Sequence, residues 1–243
     1  MTPSVLALIG ATIVFSSFLS GVFGMAGGMV LLGVLLNYFD VATGMILFSI
    51  IQLFVNGWRV LQWRRYVLWP ILGWYVVGAA ISFAGMWTIA FVPDKAMVYL
   101  ALGLMPFVVE ALPAAMRPNI EWRGVPFITG LATTIIQILA GVGGLFLDIF
   151  FQKSMLDRKT TNATKAVAQS FSHIVRALYF GSLSGVGDLP LWATGPAVLL
   201  AIAGTSLAPF VRTDHGFRQW TRAIILAISA VYLARAGWLF WNR

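Results

Sequence analysis

The chain has no cysteine, two histidines and eight acidic residues in a length of 243. Without cysteine there are no disulfides and no thiolate metal sites, and two histidines form no ligand cluster with metal spacing. No phosphate-binding glycine loop is present, which excludes an ATP-driven pump within this chain alone. Charge is scarce as well, at 10% of residues, whereas 60% are hydrophobic and mean hydropathy is +0.88. A soluble domain of this size could not cover its surface from such a composition. Apolar runs of roughly 20 residues recur from end to end, so the fold class is an all-α polytopic membrane protein. The net charge of +8 sits at the ends of apolar runs. It therefore reports topology and contact with membrane lipids and implies no nucleic acid. The N-terminus lacks the cationic region of a signal peptide, so Pro3 to Ser20 reads as mature protein.

What the chain does have is glycine in two telling places. Leu19-Ser20-Gly21-Val22-Phe23-Gly24-Met25-Ala26-Gly27-Gly28 interrupts an apolar run, and Leu139-Ala140-Gly141-Val142-Gly143-Gly144 is a fainter copy. Glycine costs a helix interior about 1 kcal/mol against alanine, so both clusters read as helix breaks. Apolar spans fall at 3–20, 29–39, 42–62, 66–91, 96–116, 124–140, 145–152, 163–183, 190–211 and 221–240. The second and seventh follow the breaks and are too short to cross a bilayer about 30 Å thick.

Basic residues decide how the broken segments run. If each crossed once, the cations would divide almost evenly between the faces. If each is a hairpin, then Arg59, Arg64, Arg65, Arg117, Arg123, Lys153, Arg158, Lys159, Lys165, Arg212, Arg218 and Arg222 share one face. Lys95, Arg235 and Arg243 then lie opposite. The hairpin arrangement predicts two inverted repeats, 1–118 and 119–243, each a glycine-broken helix plus three transmembrane helices. Both termini are then periplasmic. Internal matches are sparse: Gly21-Val22-Phe23-Gly24 with Gly141-Val142-Gly143-Gly144, and one residue further on Ala42-Thr43 with Ala163-Thr164, Ser49 with Ser170 and Gln52 with His173.

The cluster Gly24-Met25-Ala26-Gly27-Gly28 and the run Asn162-Ala163-Thr164-Lys165-Ala166-Val167 with Ser170-Phe171-Ser172-His173-Ile174-Val175-Arg176-Ala177 resemble the TauE/SafE group of sulfite and organosulfur-anion exporters. The resemblance spans nearly the whole chain. It departs where Met29-Val30 stands in place of the family's usual Val-Pro, and where Asp148 falls near an expected glycine. It implies a bacterial inner-membrane secondary transporter for a small sulfur-containing anion such as sulfite, sulfoacetate or a related sulfonate, working by alternating access and not an enzyme. No cofactor is implied. The oligomeric state is left open, a homodimer included.

The candidate site residues follow from residue chemistry. A helix start presents unpaired N–H groups and partial positive charge, so Gly24, Gly27, Gly28, Gly143 and Gly144 suit an oxyanion approaching the backbone. They suit close helix packing equally. Gln52 with Asn56, and Gln169 with Ser170, His173 and Arg176, form polar stripes at i,i+3 and i,i+4 spacing on apolar spans. Such a stripe either lines a cavity or bonds neighbouring helices. Gln137, with Thr133 and Thr134, precedes the second break and could line the same cavity. Arg176 lies deep in a span, as anion ligand or as half of an ion pair. Asp148, Glu110 and His173 are candidates for proton coupling, with Lys165 or Arg176 as partners for Asp148 and Arg59 within reach of Glu110. Gly185-Val186-Gly187-Asp188 matches the GxGD pattern of intramembrane aspartyl proteases, but no second aspartate is placed to share its proton. A membrane scaffold or assembly subunit, or an anion channel, remains the alternative to a carrier.

Overall fold

A computed structural model describes residues 2–23, 27–141, 143–185, 191–210 and 215–242. The described residues are helical and include no strand. Ten α-helices run in order: α1 (Pro3–Phe23), α2 (Gly27–Tyr38), α3 (Val41–Trp63), α4 (Trp69–Ile89), α5 (Lys95–Ala111), α6 (Val125–Ala140), α7 (Gly143–Phe151), α8 (Arg158–Ser184), α9 (Leu191–Leu207) and α10 (His215–Trp241). Each corresponds to one expected span. Among them α1, α3, α4 and α10 are long and apolar enough to cross a membrane. Large apolar side chains such as Trp74, Ile81, Leu199 and Val231 are exposed on the outside of the bundle, as suits helices solvated by lipid.

One clear boundary difference is at α8, which begins five residues before the expected span. Its first turn, Arg158-Lys159-Thr160-Thr161-Asn162, carries no apolar signal. The helix starts there because Asp157 accepts hydrogen bonds from the N–H groups of Lys159 and Thr160, satisfying two of the donors a helix start leaves unpaired. Asp40 does the same for α3, accepting from Thr43 N–H at 3.0 Å. At its other end α5 stops at Ala111 instead of 116, with Pro113 following.

Both short helices double back on their predecessors. At the second break, Ile120 N–H donates to Phe150 O at 2.8 Å and Asn119 Nδ2 to Lys153 O at 3.2 Å. The approach to α6 and the end of α7 are therefore at the same end of the molecule. At the first, Leu6, Ile9 and Gly10 of α1 share one apolar cavity with Leu35 at the end of α2 and with Phe39. Lys159 lies over the rings of Trp63 and Tyr66, which joins the end of α3 to the start of α8. Arg64, Arg117, Lys153 and Lys159 thus gather at one end.

At the centre, α3 and α8 pack along much of their length. They run antiparallel: Ser49 is bonded to Arg176 and Arg59 to Gln169. Around them the neighbours come in matched pairs, α1 with α9 and α6 with α4, α3 with α9 and α8 with α4, while α5 packs on α10. Exchanging each of α1–α5 with the helix five places later leaves this set of pairings unchanged. The capping aspartates set the register of the exchange, 117 positions (157 − 40). The alignment of Ala42-Thr43 with Ala163-Thr164 differs from this one by four residues. In the aspartate register, Gln52 answers Gln169, Asn56 answers His173, and Arg59 answers Arg176.

Candidate functional site

The two breaks face one another across a cavity of about 30 Å³ between α3 and α8. A water needs roughly 10–15 Å³ on this measure, so there is room for about two. Ser20 ends one side, with Gly28 and Met29 at the start of α2. Gln137 and Gly141 end the other, with Gly144 and Leu145 at the start of α7. Phe48, Gln52 and Asn56 line it from α3, and Gln169 and His173 from α8.

The breaks are built by close approach. At Gly27 an added methyl group would overlap the carbonyl oxygen of Ser16, and at Gly143 it would come within 2.6 Å of Gln137 Oε1. Only glycine lets α2 and α7 start against the helices they fold back on. Gly141 ends α6 in the left-handed region (φ +70°), its N–H bonded to Gln137 O at 3.0 Å.

Three side chains form a directed chain beside the cavity. Gln137 Oε1 accepts from Gly143 N–H at 2.7 Å, which orients its amide and turns Nε2 toward His173 Nδ1 at 3.1 Å. Arg176 Nη2 approaches the same Nδ1 at 3.1 Å. An amide nitrogen and a guanidinium can only donate. Nδ1 is therefore the acceptor, and the imidazole is neutral with its proton on Nε2. Protonating Nδ1 would remove both bonds and set a cation against Arg176.

Arg176 is fully buried. It also donates from Nε to Ser49 Oγ at 2.7 Å and from Nη1 to Gly141 O at 3.1 Å, and its guanidinium lies 4.4 Å from the centre of the Phe48 ring. It stands behind His173 and is not part of the cavity wall. Arg59 occupies the matching place on the other side. Its Nη1 donates to Ser20 O at 3.0 Å and its Nη2 to Gln169 Oε1 at 3.2 Å. As an expected topology marker and partner for Glu110, Arg59 is the principal residue that sequence reasoning misplaced. The signal was the repeat Asp40-x-x-Thr43 and Asp157-x-x-Thr160, which sets the register pairing it with Arg176.

The other expected residues divide as follows. Gly28, Gln52, Asn56, Gln137, Gly144, Gln169 and His173 come together on the cavity wall. Gly27 and Gly143 lie behind it as packing contacts. Gly24 lies outside the described residues, as does Asp188 of the GxGD match. Ser170 faces elsewhere and donates to Ala166 O on its own helix. Thr133 bonds Tyr75 and Thr129 O and is not part of the cavity wall. Asp148 forms an ion pair with Lys165, joining α7 to α8. Glu110 does not meet Arg59: it binds Arg222 of α10 through both oxygens, at 2.6 and 2.9 Å, where solvent or headgroups reach the pair. The helices carrying them explain why, since α5 packs on α10 and not on the end of α3.

Fold and site together define a multi-pass helical membrane protein with a small polar cavity at its centre. The chain belongs to the sulfite exporter TauE/SafE family, which matches residues 8–235. This is a transporter family and not an enzyme family. No curated protein and no solved structure matches the chain.

Proposed function

We propose that the chain is a secondary transporter that moves a small sulfur-containing anion across a bacterial inner membrane, exporting it by alternating access. The observation that carries this is the electrostatic make-up of the cavity. It is walled by neutral hydrogen-bonding groups and two helix starts, flanked by two guanidiniums, and has no carboxylate among its lining residues. Such a site attracts an anion and repels no charge it carries. Gln52, Asn56, Gln137, Gln169 and His173 Nε2–H are the donors, together with N–H groups near Gly28 and Gly144. Arg176 supplies field from behind. The cavity's size favours a compact oxyanion such as sulfite over a sulfonate with a longer tail.

The pairing of helices, the antiparallel α3 and α8, and the shared register support two inverted repeats rocking about this cavity, as in other secondary carriers. With the hairpins re-entrant, the end that gathers Arg64, Arg117, Lys153 and Lys159 is cytoplasmic. Asp148 and Glu110 are both paired and neither lines the cavity, so proton coupling through them would act indirectly.

The test is uptake of radiolabelled sulfite, sulfoacetate and sulfate into proteoliposomes, comparing wild type with Gly28→Leu. A side chain at Gly28 would meet Phe48 at 3.0 Å and Gln52 Nε2 at 3.1 Å, so leucine fills the cavity. Saturable sulfite flux abolished by Gly28→Leu is the expected result. Well-reconstituted protein that moves none of the three anions would remove the assignment and favour the scaffold reading.

A further inference from the structure

The register that relates the two halves pairs Arg59 with Arg176, and the contacts of the two arginines correspond. Each donates to a carbonyl at the end of its own half's broken helix, Ser20 O for Arg59 and Gly141 O for Arg176. Each also reaches the facing central helix, Arg59 from α3 to Gln169 of α8 and Arg176 from α8 to Ser49 of α3, and Arg176 bonds His173 of its own helix besides. The last carbonyls of a helix are unpaired and carry partial negative charge, so a guanidinium placed there ties the helix end down. Its planar fork can hold two acceptors at once.

Position makes the correspondence more than decorative. Arg59 follows Asn56 by three residues toward the end of α3, and Arg176 follows His173 by three toward the end of α8. Because α3 and α8 are antiparallel, the two guanidiniums lie at opposite poles of the cavity.

We propose that Arg59 and Arg176 are a pair of positioning residues that latch the cavity, one toward each face of the membrane. Each keeps its pole shut while it binds the helix-end carbonyl and a side chain of the facing helix together, Gln169 for Arg59 and Ser49 for Arg176, and opens it on release. The proposal rests on the carrier reading, since only a cavity that opens alternately needs two latches.

The absence of native cysteine allows a direct test. Met29→Cys places one thiol on the cavity wall, and a membrane-impermeant methanethiosulfonate reagent is applied from each face in oriented vesicles. Against that background, Arg59→Gln should raise the labelling rate about tenfold from the face bearing Arg64 and Arg65, and Arg176→Gln by a similar factor from the opposite face only. Arg59→Lys and Arg176→Lys keep the charge but span two acceptors poorly, and should shift labelling a few-fold in the same directions. If the glutamine variants do not fold, the lysine variants decide. Increases from the same face for both arginines, or no change from either face, would overturn the proposal. Labelling needs no substrate, so failure of sulfite flux with opposite-sided labelling intact would sink the anion assignment alone.

Discussion

The two poles of the cavity are related in register but unequal in burial. At one, Arg176 is fully buried and holds Ser49, His173 and Gly141 O, with the Phe48 ring against its face. At the other, Arg59 is half-buried and holds Ser20 O and Gln169. The wall differs in the same sense, with His173 at the first pole where the second has Asn56. Two similarly built poles thus carry two chemistries. The shared parts, arginine and glutamine, keep the geometry, and the divergent parts make one pole tighter than the other.

The comparison can be broken most severely at the glycines. Gly27→Ala drives a methyl group into the backbone of Ser16, whereas Gly143→Ala meets the end of Gln137 at 2.6 Å and the Thr133 carbonyl less severely, at 2.9 Å. Overpacking against backbone costs about 3 kcal/mol or more, and against a side chain that can shift about 1. In detergent, Gly27→Ala should yield little monodisperse protein, and Gly143→Ala a folded protein of lowered Tm. Equal losses would show that the first break is as pliable as the second.

Next come the arginines, replaced by methionine to keep their length. Arg176→Met takes the partner from Gly141 O and one bond each from Ser49 and His173, which keep Met45 O and Gln137 Nε2, and should cost about 2–3 kcal/mol. Arg59→Met should also destabilise, since it takes the partner from Ser20 O and from Gln169 Oε1. Thermal unfolding of the two variants side by side measures the difference.

The capping aspartates give the smallest effect. Asp40→Ala should cost about 1 kcal/mol, and Asp157→Ala should likewise lower Tm. Hydrogen bonds from the Thr160 side chain and N–H, and from Lys159 N–H, hold the Asp157 carboxyl below the usual carboxylate range. A carboxylate whose folded pKa is depressed stabilises above its unfolded value near 3.9 and loses that contribution as pH falls through the folded value. The Tm gap between wild type and Asp157→Ala should therefore be full at neutral pH and close below about pH 4.

Most of the architecture was legible because lipid imposes a simple code. Long apolar runs and two glycine clusters are enough to place ten helices and to recognise α2 and α7 as too short to cross. Polar stripes at helical spacing then pointed to Gln52, Asn56, Gln169 and His173, since such groups need protein or water around them. Arg59 was not legible in this way. An arginine near the end of a span looks like any other topology marker, and its role depends on the carbonyl of Ser20, which lies 39 positions away. The repeat register was obscured for a related reason. Identities around Ala163-Thr164 compete with an alignment whose anchor is a hydrogen-bonding role, the aspartate before each helix. The turning of Ser170 onto its own helix and the pairing of Glu110 with Arg222 are likewise set by neighbours that periodicity does not name.

The neutral state of His173 has an electrical consequence. The donors on the cavity wall have no proton to yield to an incoming anion, and the flanking arginines stay bound to the protein. Under the proposed export, an anion that crosses here with no proton supplied by Asp148 or Glu110 carries its charge uncompensated, so every turnover is a current. Across an inside-negative membrane of about 100 mV, each unit of negative charge moving outward gains about 2.3 kcal/mol. The resting voltage of the cell is then itself a fuel for export, and dissipating it should slow the protein even when the anion gradient is untouched.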